Sequence, residues 1–218
     1  MTNPRSKAGP LFVLLNLGAA LVTATCVLLR YGFNDEGLGE VIAYLTPIGM
    51  GYFILAFIAR PLHDAFHNRV TSWLLVNRRY VGLSFAAWHL PHWPVIVGFV
   101  VVLGPSTFWE YFGDFFLPAI AVLSVITLLA ATSTDWAQRK LGMKTWSAIH
   151  TVGIYAIWVW AMQIYLSRIP AEPETGNPGP GIHDYVFLWL LLGALAFRWL
   201  MLAVRLWKRN TSQPKPVT

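Results

Sequence analysis

The sequence predicts an all-α membrane protein, a single bundle of six transmembrane helices with both termini in the cytoplasm. Of the 218 residues, 56% are hydrophobic and only 12% are charged, and the mean hydropathy is +0.53. A soluble domain carries about 25% charged residues, which is roughly twice this share. Six apolar segments also reach the length of about 20 helical residues that ~30 Å of hydrocarbon requires.

The six segments follow one another without an internal repeat and define one transmembrane domain over residues 1–209. The first segment has basic flanks, as a signal peptide has. It is too long for a signal h-region, however, and lacks a small-x-small cleavage site, so it is interpreted as a span. The predicted spans are 10–31, 39–59, 80–104, 112–132, 145–167 and 184–206.

Three connecting segments have distinct compositions. Between the second and third spans, residues 60–79 place apolar side chains at helical spacing, which predicts an amphipathic helix at the membrane interface. Residues 170–181 hold too much proline and glycine for regular structure, so they are predicted to be a loop. The tail 210–218 is predicted to be disordered. The apolar positions of the interfacial helix are Leu62, Phe66, Val70 and Trp73 or Leu74.

Charge predicts the orientation in the membrane. Basic residues concentrate on the cytoplasmic side of membrane proteins. If the termini and the 60–79 and 133–146 connections share one side, that side holds thirteen of the sixteen Lys and Arg residues. The opposite loops hold two, Arg30 and Arg168, and eight of the ten acidic residues lie in or beside those loops. The sequence therefore predicts a multi-pass protein of a bacterial inner membrane, whose partner is the lipid bilayer.

The same charges argue against other classes of protein. The net charge of +6 is accounted for by membrane topology, so no nucleic-acid partner is predicted. The single cysteine, Cys26, lies in an apolar run. An intramolecular disulfide and a cysteine metal cluster are therefore both excluded.

Three histidines lie inside predicted spans, where a buried polar side chain must find its own partner. His89 and His92 are three positions apart in span three and share one helix face. His150 lies early in span five. One hypothesis is that these imidazoles bind one iron, with a b-type haem between the two spans, because neutral histidine is a good axial ligand. The alternative is that each ring hydrogen-bonds a neighbouring helix or a buried water.

Depth along the helices can be compared because axial ligands must lie at similar levels. At ~1.5 Å per residue, His89 lies ~15 Å into span three, His92 ~20 Å, and His150 ~9 Å into span five. This comparison favours His89 with His150 as the pair. The margin is one helical turn, so the choice between His89 and His92 stays open.

The remaining candidates are polar residues near the span ends and one intramembrane cation. Arg198 lies well inside span six and is expected either to face the bundle and meet an anion such as a haem propionate, or to snorkel to the interface. His63 and His67 have the i, i+4 spacing of metal ligands, but without further ligands they are interpreted as polar-face residues. His183 is interpreted as solvated.

Two segments resemble the ferric reductase-like transmembrane domain family. RRYVGLSFAAWHLPHW (78–93) resembles its R-R-x-L-G-L-x-x-F…H stretch, and ATSTDWAQRKLGMKTWSAIH (131–150) resembles its S-T…R-K-L-G…W…L-H segment. Within that family the chain is most similar to the haem-binding membrane subunits of periplasmic methionine sulfoxide reductase systems. The resemblance implies a six-helix bundle with b-type haem that moves electrons across the inner membrane. Its axial ligands would fall on His92 and His150.

The sequence departs from the family pattern at one ligand position. The second span-five histidine of the family falls on Gln163, and glutamine is a poor haem ligand. His89 is a candidate replacement, and one haem is therefore expected rather than two. Methionine sulfoxide repair is implied only by the nearest relatives.

The function predicted from these observations is electron transfer by a haem b subunit of an oxidoreductase system. The chain shows no flavin or nicotinamide motif, so electrons would come from a quinol or from a cytoplasmic flavoprotein reductase and pass to a periplasmic redox partner. A quinone or FMN is a candidate second cofactor. The alternatives are a haem-free transporter with histidine proton relays and a haem-free structural subunit of a membrane complex.

Overall fold

The structure, a computed structural model, describes residues 9–169 and 181–211, and all regular structure in these ranges is α-helical. Five of the helices are long and uninterrupted, while span three is divided and a short helix precedes span five. The elements in order are α1 (Gly9–Tyr31), α2 (Asp35–Phe66), α3 (Arg69–His89), α4 (His92–Leu103), α5 (Pro105–Ala131), α6 (Asp135–Leu141), α7 (Met143–Arg168) and α8 (Ile182–Thr211).

The predicted fold class is confirmed. Six helices are long and apolar enough to cross a membrane, if α3 and α4 are taken together as one span. In the fourth span the qualifying part runs from Phe112 to Ala131, although α5 itself begins at Pro105. The structure is therefore an all-α bundle of six membrane-length helices.

The predicted interfacial helix over 60–79 is wrong. The segment is divided between the end of α2 and the beginning of α3, and the break falls at two residues. His67 adopts a left-handed backbone with φ of 43°, and the Asn68 side chain accepts from the Thr71 N–H while the Thr71 hydroxyl accepts from the Asn68 N–H. This reciprocal capping starts a new helix. The two spans therefore form one tight hairpin.

Span three is broken in its middle, which the sequence prediction of one continuous helix missed. α3 ends at His89 and α4 begins at His92. Pro91 has no N–H to donate to the preceding turn, and its ring disfavours a straight helix. The Trp93 N–H instead donates to the Leu90 carbonyl at 3.1 Å, a tighter turn than the α-helix has. The break therefore separates the two span-three histidines onto the ends of two helices.

Two apolar clusters hold the bundle together. One joins α1, α2 and α4 to the end of α3 and the start of α5, and the other joins α2 and α3 to α5, α7 and α8. α2 is common to both clusters and packs most extensively against α3. Within the first cluster a buried hydrogen bond of 2.8 Å runs from the Trp88 indole N–H to the Asn16 side-chain oxygen. This bond ties α1 to α3.

Ion pairs link helices at both ends of the bundle. On the side predicted to be cytoplasmic, Asp64 pairs with Arg205 and Asp135 pairs with Arg79. On the opposite side the buried Asp184 accepts from Arg168 at 3.1 Å and from the Gly181 N–H at 2.9 Å. α8 continues to Thr211, beyond the predicted end of the domain. The predicted loop 170–181, except Gly181, and residues 212–218 of the predicted tail lie outside the described residues.

Candidate functional site

Two cavities lie one above the other inside the bundle. The large cavity has a volume of about 690 Å³ and lies toward the end that carries the basic loops. The small cavity has a volume of about 200 Å³ and lies toward the other end. Ligand and cofactor sites in proteins usually measure about 300–1,000 Å³, so only the large cavity is of cofactor size.

The large cavity combines apolar walls with an unusual number of cations. α2, α3, α5 and α7 line it with phenylalanine, leucine, isoleucine and alanine side chains. Its polar side chains include one imidazole, His150, and three guanidinium groups, Arg78, Arg79 and Arg198. Such a lining fits a large apolar molecule that carries anionic groups on its edge.

His150 is held by two neighbours on the cavity wall. Its ring stacks on Trp146, with ring centroids 4.2 Å apart, and its Nε2 lies 3.0 Å from the Thr132 hydroxyl oxygen. That hydroxyl donates its hydrogen to the Leu128 carbonyl at 2.7 Å, so it must accept from His150. The Nε2 atom of His150 therefore carries the proton, and Nδ1 keeps the free lone pair.

The three arginines of the cavity differ in their partners. Arg79 donates to Asp135 at 2.6 Å, while its buried Nε atom has no hydrogen-bond partner among the described residues. Arg198 donates to the Phe57 carbonyl at 2.7 Å and to the Tyr155 hydroxyl at 3.2 Å, and its guanidinium lies over both aromatic rings. It therefore faces the bundle interior, as one of its two sequence interpretations expected. No carboxylate contacts Arg78 or Arg198 within the part of the chain that the structure describes.

His89 is fixed in an orientation that leaves one nitrogen available. Its Nδ1 lies 3.0 Å from the Phe85 carbonyl, so Nδ1 carries the proton and Nε2 carries the lone pair. The ring is buried at the wall of the small cavity and packs directly against Gly49 of α2. Histidines that bind metals commonly anchor their other nitrogen in this way.

His92 stacks on His89 across the helix break. The ring centroids are 5.1 Å apart, and the planes differ by only 12°. The His92 Nε2 atom lies 3.2 Å from the Thr46 hydroxyl, and its buried Nδ1 atom has no hydrogen-bond partner of normal geometry among the described residues. Both rings line the small cavity, whose walls are otherwise almost wholly apolar and rich in phenylalanine.

A packed layer separates the two cavities. Phe85 of α3, Ile126 of α5 and Ile157 of α7 line both, and they are only 3–5% exposed. We call these three residues the divider. His150 lies seven residues before Ile157, about 10 Å of helix rise on the large-cavity side. His89 lies four residues beyond Phe85, on the other side.

The structure therefore brings His89 and His92 together and leaves His150 in a different cavity. The expectation that His89 and His150 lie at one level rested on counting residues from the span ends, and the bundle does not align the spans in that way.

Gln163 is exposed and lines neither cavity. His63 and His67 stack 5.2 Å apart at the α2–α3 hairpin, and His183 lies 3.4 Å from Asp184. Iron ligation by any of these histidines stays a prediction.

Several residues of the site were not predicted from sequence. Thr132 and Trp146 hold His150. Arg78 and Arg79 line the large cavity, so their role is not limited to setting the orientation in the membrane. For these four residues, the only signal in the sequence was the pair of arginines at the start of span three. Thr132 carried no signal, because its contact with His150 depends on how α5 and α7 pack.

Comparison with known proteins gives no relative for this chain. No family model, no curated protein and no solved structure matches it. Within the described residues no group of three or more histidine, cysteine, aspartate or glutamate side chains could hold a free metal ion.

The large cavity fits a haem in part. Its volume, its apolar walls, the free Nδ1 lone pair of His150 and the three guanidinium groups suit a macrocycle with one axial imidazole and two carboxylates. It does not supply a second imidazole, because His89 and His92 lie beyond the divider.

Proposed function

We propose that this chain is a membrane electron-transfer protein that holds one haem b in the large cavity. The observation that carries the proposal is a cavity of cofactor size, about 690 Å³, on which one imidazole and three guanidinium groups converge between apolar walls. Electrons would enter from a quinol or a cytoplasmic flavoprotein and leave to a periplasmic acceptor, in a bacterial inner membrane. The chain would act as a subunit of an oxidoreductase system.

The residues of the cavity would have separate roles. His150 would supply an axial nitrogen, and Trp146 and Thr132 would hold its ring in place. Arg78, Arg79 and Arg198 would neutralise the carboxylates, and the aliphatic and aromatic walls would exclude water. Haem held by these residues would supply one-electron redox chemistry.

The resemblance to the ferric reductase-like transmembrane domain supports the same cavity in part: of the two ligand positions that it implies, His150 lines this cavity and His92 lines the small one. Both segments that carry the resemblance contribute to its wall: 78–93 gives Arg78, Arg79 and Gly82, and 131–150 gives Trp146 and His150. We propose on this basis that the chain is a divergent member of that family, near the methionine sulfoxide reductase membrane subunits.

The first prediction concerns haem content. Protein expressed with ample haem and purified in detergent should give a b-type pyridine haemochrome with about one haem per chain. His150→Ala should lower the haem content at least fivefold, because the axial nitrogen is lost. His67→Asn is the matched control: His67 is exposed, its left-handed backbone suits asparagine, and haem content should not change.

Folded, monodisperse protein without haem would contradict the proposal. It would favour the second candidate, a haem-free transporter or structural subunit of a membrane complex. The observation that favours this candidate is that the large cavity offers one imidazole, while Gln163 is exposed and lines neither cavity.

A further inference from the structure

The small cavity has the size and the lining of a site for one aromatic ring. Its volume is about 200 Å³, and an apolar protein cavity of about 150 Å³ is large enough for a benzene ring. Six phenylalanine side chains line it, together with Trp160 and Tyr165. Such side chains pack favourably against the face or the edge of another aromatic ring. Among the described residues no charged side chain lines this cavity, so the ring that fits it is neutral.

His89 offers this cavity one hydrogen-bond acceptor. Its Nδ1 donates to the Phe85 carbonyl at 3.0 Å, and its ring centroid lies 4.4 Å from that of Phe85 and 5.1 Å from that of His92. A Cβ atom added at Gly49 would lie only 2.5 Å from Nδ1, so the ring is held on that side as well. His89 is 8% exposed, and no hydrogen bond reaches its Nε2 atom within the part of the chain that the structure describes. A buried acceptor without a donor is costly, which favours a ligand that donates to it.

The wall of the small cavity reaches the outer surface of the bundle between α5 and α7. Phe115 of α5 and Trp160 of α7 both line the cavity, and their ring centroids are 5.0 Å apart. Phe115 is 51% exposed and belongs to the part of α5 that is apolar enough to cross a membrane. A ligand dissolved in the bilayer therefore meets the cavity wall at this pair of rings.

We infer that the small cavity binds a neutral aromatic ring that carries a hydroxyl group, and that this hydroxyl donates to Nε2 of His89. The ligand class is a phenol or hydroquinone ring, whose source is either a free phenol or the headgroup of a membrane quinol. The exposed Phe115 favours the membrane quinol. The inference concerns binding alone and does not require haem in the large cavity, so it and the proposed function can fail separately.

Two probes of similar size separate the effect of the hydroxyl from that of the ring. 4-Fluorophenol donates a hydrogen bond, whereas 4-fluoroanisole carries a methoxy group that can only accept one. Both are titrated by fluorine NMR against the purified full chain in lipid nanodiscs, and empty nanodiscs correct for partition into the lipid. 4-Fluorophenol should bind once per chain and about fivefold more tightly, which is the effect of one net hydrogen bond. Equal affinities, or no saturable binding, would overturn the inference.

Variants of the chain locate the site. His89→Phe keeps an aromatic ring but removes the acceptor, so the 4-fluorophenol affinity should fall to that of 4-fluoroanisole, whose own binding should not change. Ala119→Phe fills the small cavity from α5 and should abolish the binding of both probes. His67→Asn, at the exposed hairpin, is the control and should change neither affinity. A preference for 4-fluorophenol that survives in His89→Phe would overturn the assignment to His89. The comparison of the two probes on the wild-type chain needs no variant and decides the inference if His89→Phe does not fold.

Competition identifies the source of the ring. Methylhydroquinone and the same ring with an isoprenoid tail are added under argon to nanodiscs that hold the chain and 4-fluorophenol. A membrane quinol predicts that the tailed compound displaces the probe, because its tail can pass Phe115 into the bilayer. Displacement by the tailless ring alone would overturn the membrane source and assign the site to free phenols. If neither compound displaces the probe, the inference is wrong.

Discussion

His89 and His150 present different nitrogens for the same chemical reason. Each ring gives its N–H to an acceptor of its own surroundings, the Phe85 carbonyl for His89 and the Thr132 hydroxyl for His150. The lone pair that remains is on Nε2 in the first and on Nδ1 in the second. The residue type could be identified in the sequence, but the nitrogen that is available depends on hydrogen bonds that only the folded bundle supplies.

α2 and α3 approach each other closely at Gly49, which leads to a prediction about stability. A Cβ atom there would collide with the His89 ring, whereas one at Gly51 would meet nothing within 4 Å. Gly49→Ala should therefore destabilise the bundle by about 1–3 kcal/mol through overpacking.

Thermal unfolding in detergent measures this difference. Gly49→Ala should unfold several degrees below the wild type, and Gly51→Ala should unfold at nearly the wild-type temperature. Equal unfolding temperatures for the two variants would show that α2 and α3 do not pack at Gly49 as described.

At the scale of the helices, α1 is attached to the bundle by one buried polar contact. Asn16 donates to the Phe12 carbonyl of its own helix at 2.9 Å and accepts from Trp88 of α3 at 2.8 Å. Apolar packing, including the fully buried Ala20, forms much of the rest of the α1 interface. Trp88 directly precedes His89, which lines the small cavity. The attachment of α1 therefore also fixes this part of the cavity wall.

Removal of this contact should weaken the attachment of α1. Asn16→Leu leaves the Trp88 N–H without its acceptor, and interhelical hydrogen bonds in membranes contribute about 0.6 kcal/mol, at most ~1.7. We expect a small loss of thermal stability and faster proteolysis near α1. Thr25→Val is the control, because Thr25 is exposed and bonds only the Leu21 carbonyl of its own helix. Equal losses in the two variants would contradict a specific role for Asn16.

The helix boundaries show where sequence patterns are sufficient and where they are not. Apolar length predicted the six spans, because the hydrocarbon thickness dictates it. Periodicity over 60–79 suggested one interfacial helix, but apolar spacing cannot detect the turn that His67 and Asn68 make. Pro91 was a visible signal for the break in span three. Its effect matters because the break sets the stacking of His89 on His92.

At the scale of the whole molecule, both acidic residues on the predicted cytoplasmic side are neutralised by arginines of other helices. Asp64 at the end of α2 pairs with Arg205 of α8, and Asp135 of α6 pairs with Arg79 of α3. Among the described residues at this end, the charged side chains that lack such an ion pair are therefore basic, and Arg78 is one of them. This distribution is what the positive-inside rule requires.

The orientation predicts the location of fused reporters. A fluorescent protein placed after residue 218 should fluoresce in the cytoplasm, and alkaline phosphatase placed there should be inactive. Alkaline phosphatase inserted in the 170–180 segment should be active, because that segment is predicted to be periplasmic. The opposite pattern would reverse the topology and place the large cavity at the periplasmic end.

Several residues of the site could be anticipated from the sequence, but their division between two cavities could not. The histidines and the intramembrane Arg198 were recognisable because charged and polar groups are costly in hydrocarbon. Their grouping into two cavities depends on the relative heights of α3 and α7. Residue counting cannot give those heights, because helices enter the membrane at different levels and tilts.

The divider also has a consequence for proton leakage. A bundle whose cavity of about 690 Å³ carries guanidinium groups among apolar walls would conduct protons if water filled that cavity and continued through to the other end. Phe85, Ile126 and Ile157 offer no hydrogen-bonding groups in their side chains and pack tightly across that path. Even a hydrated large cavity would therefore not open a continuous water path through the bundle.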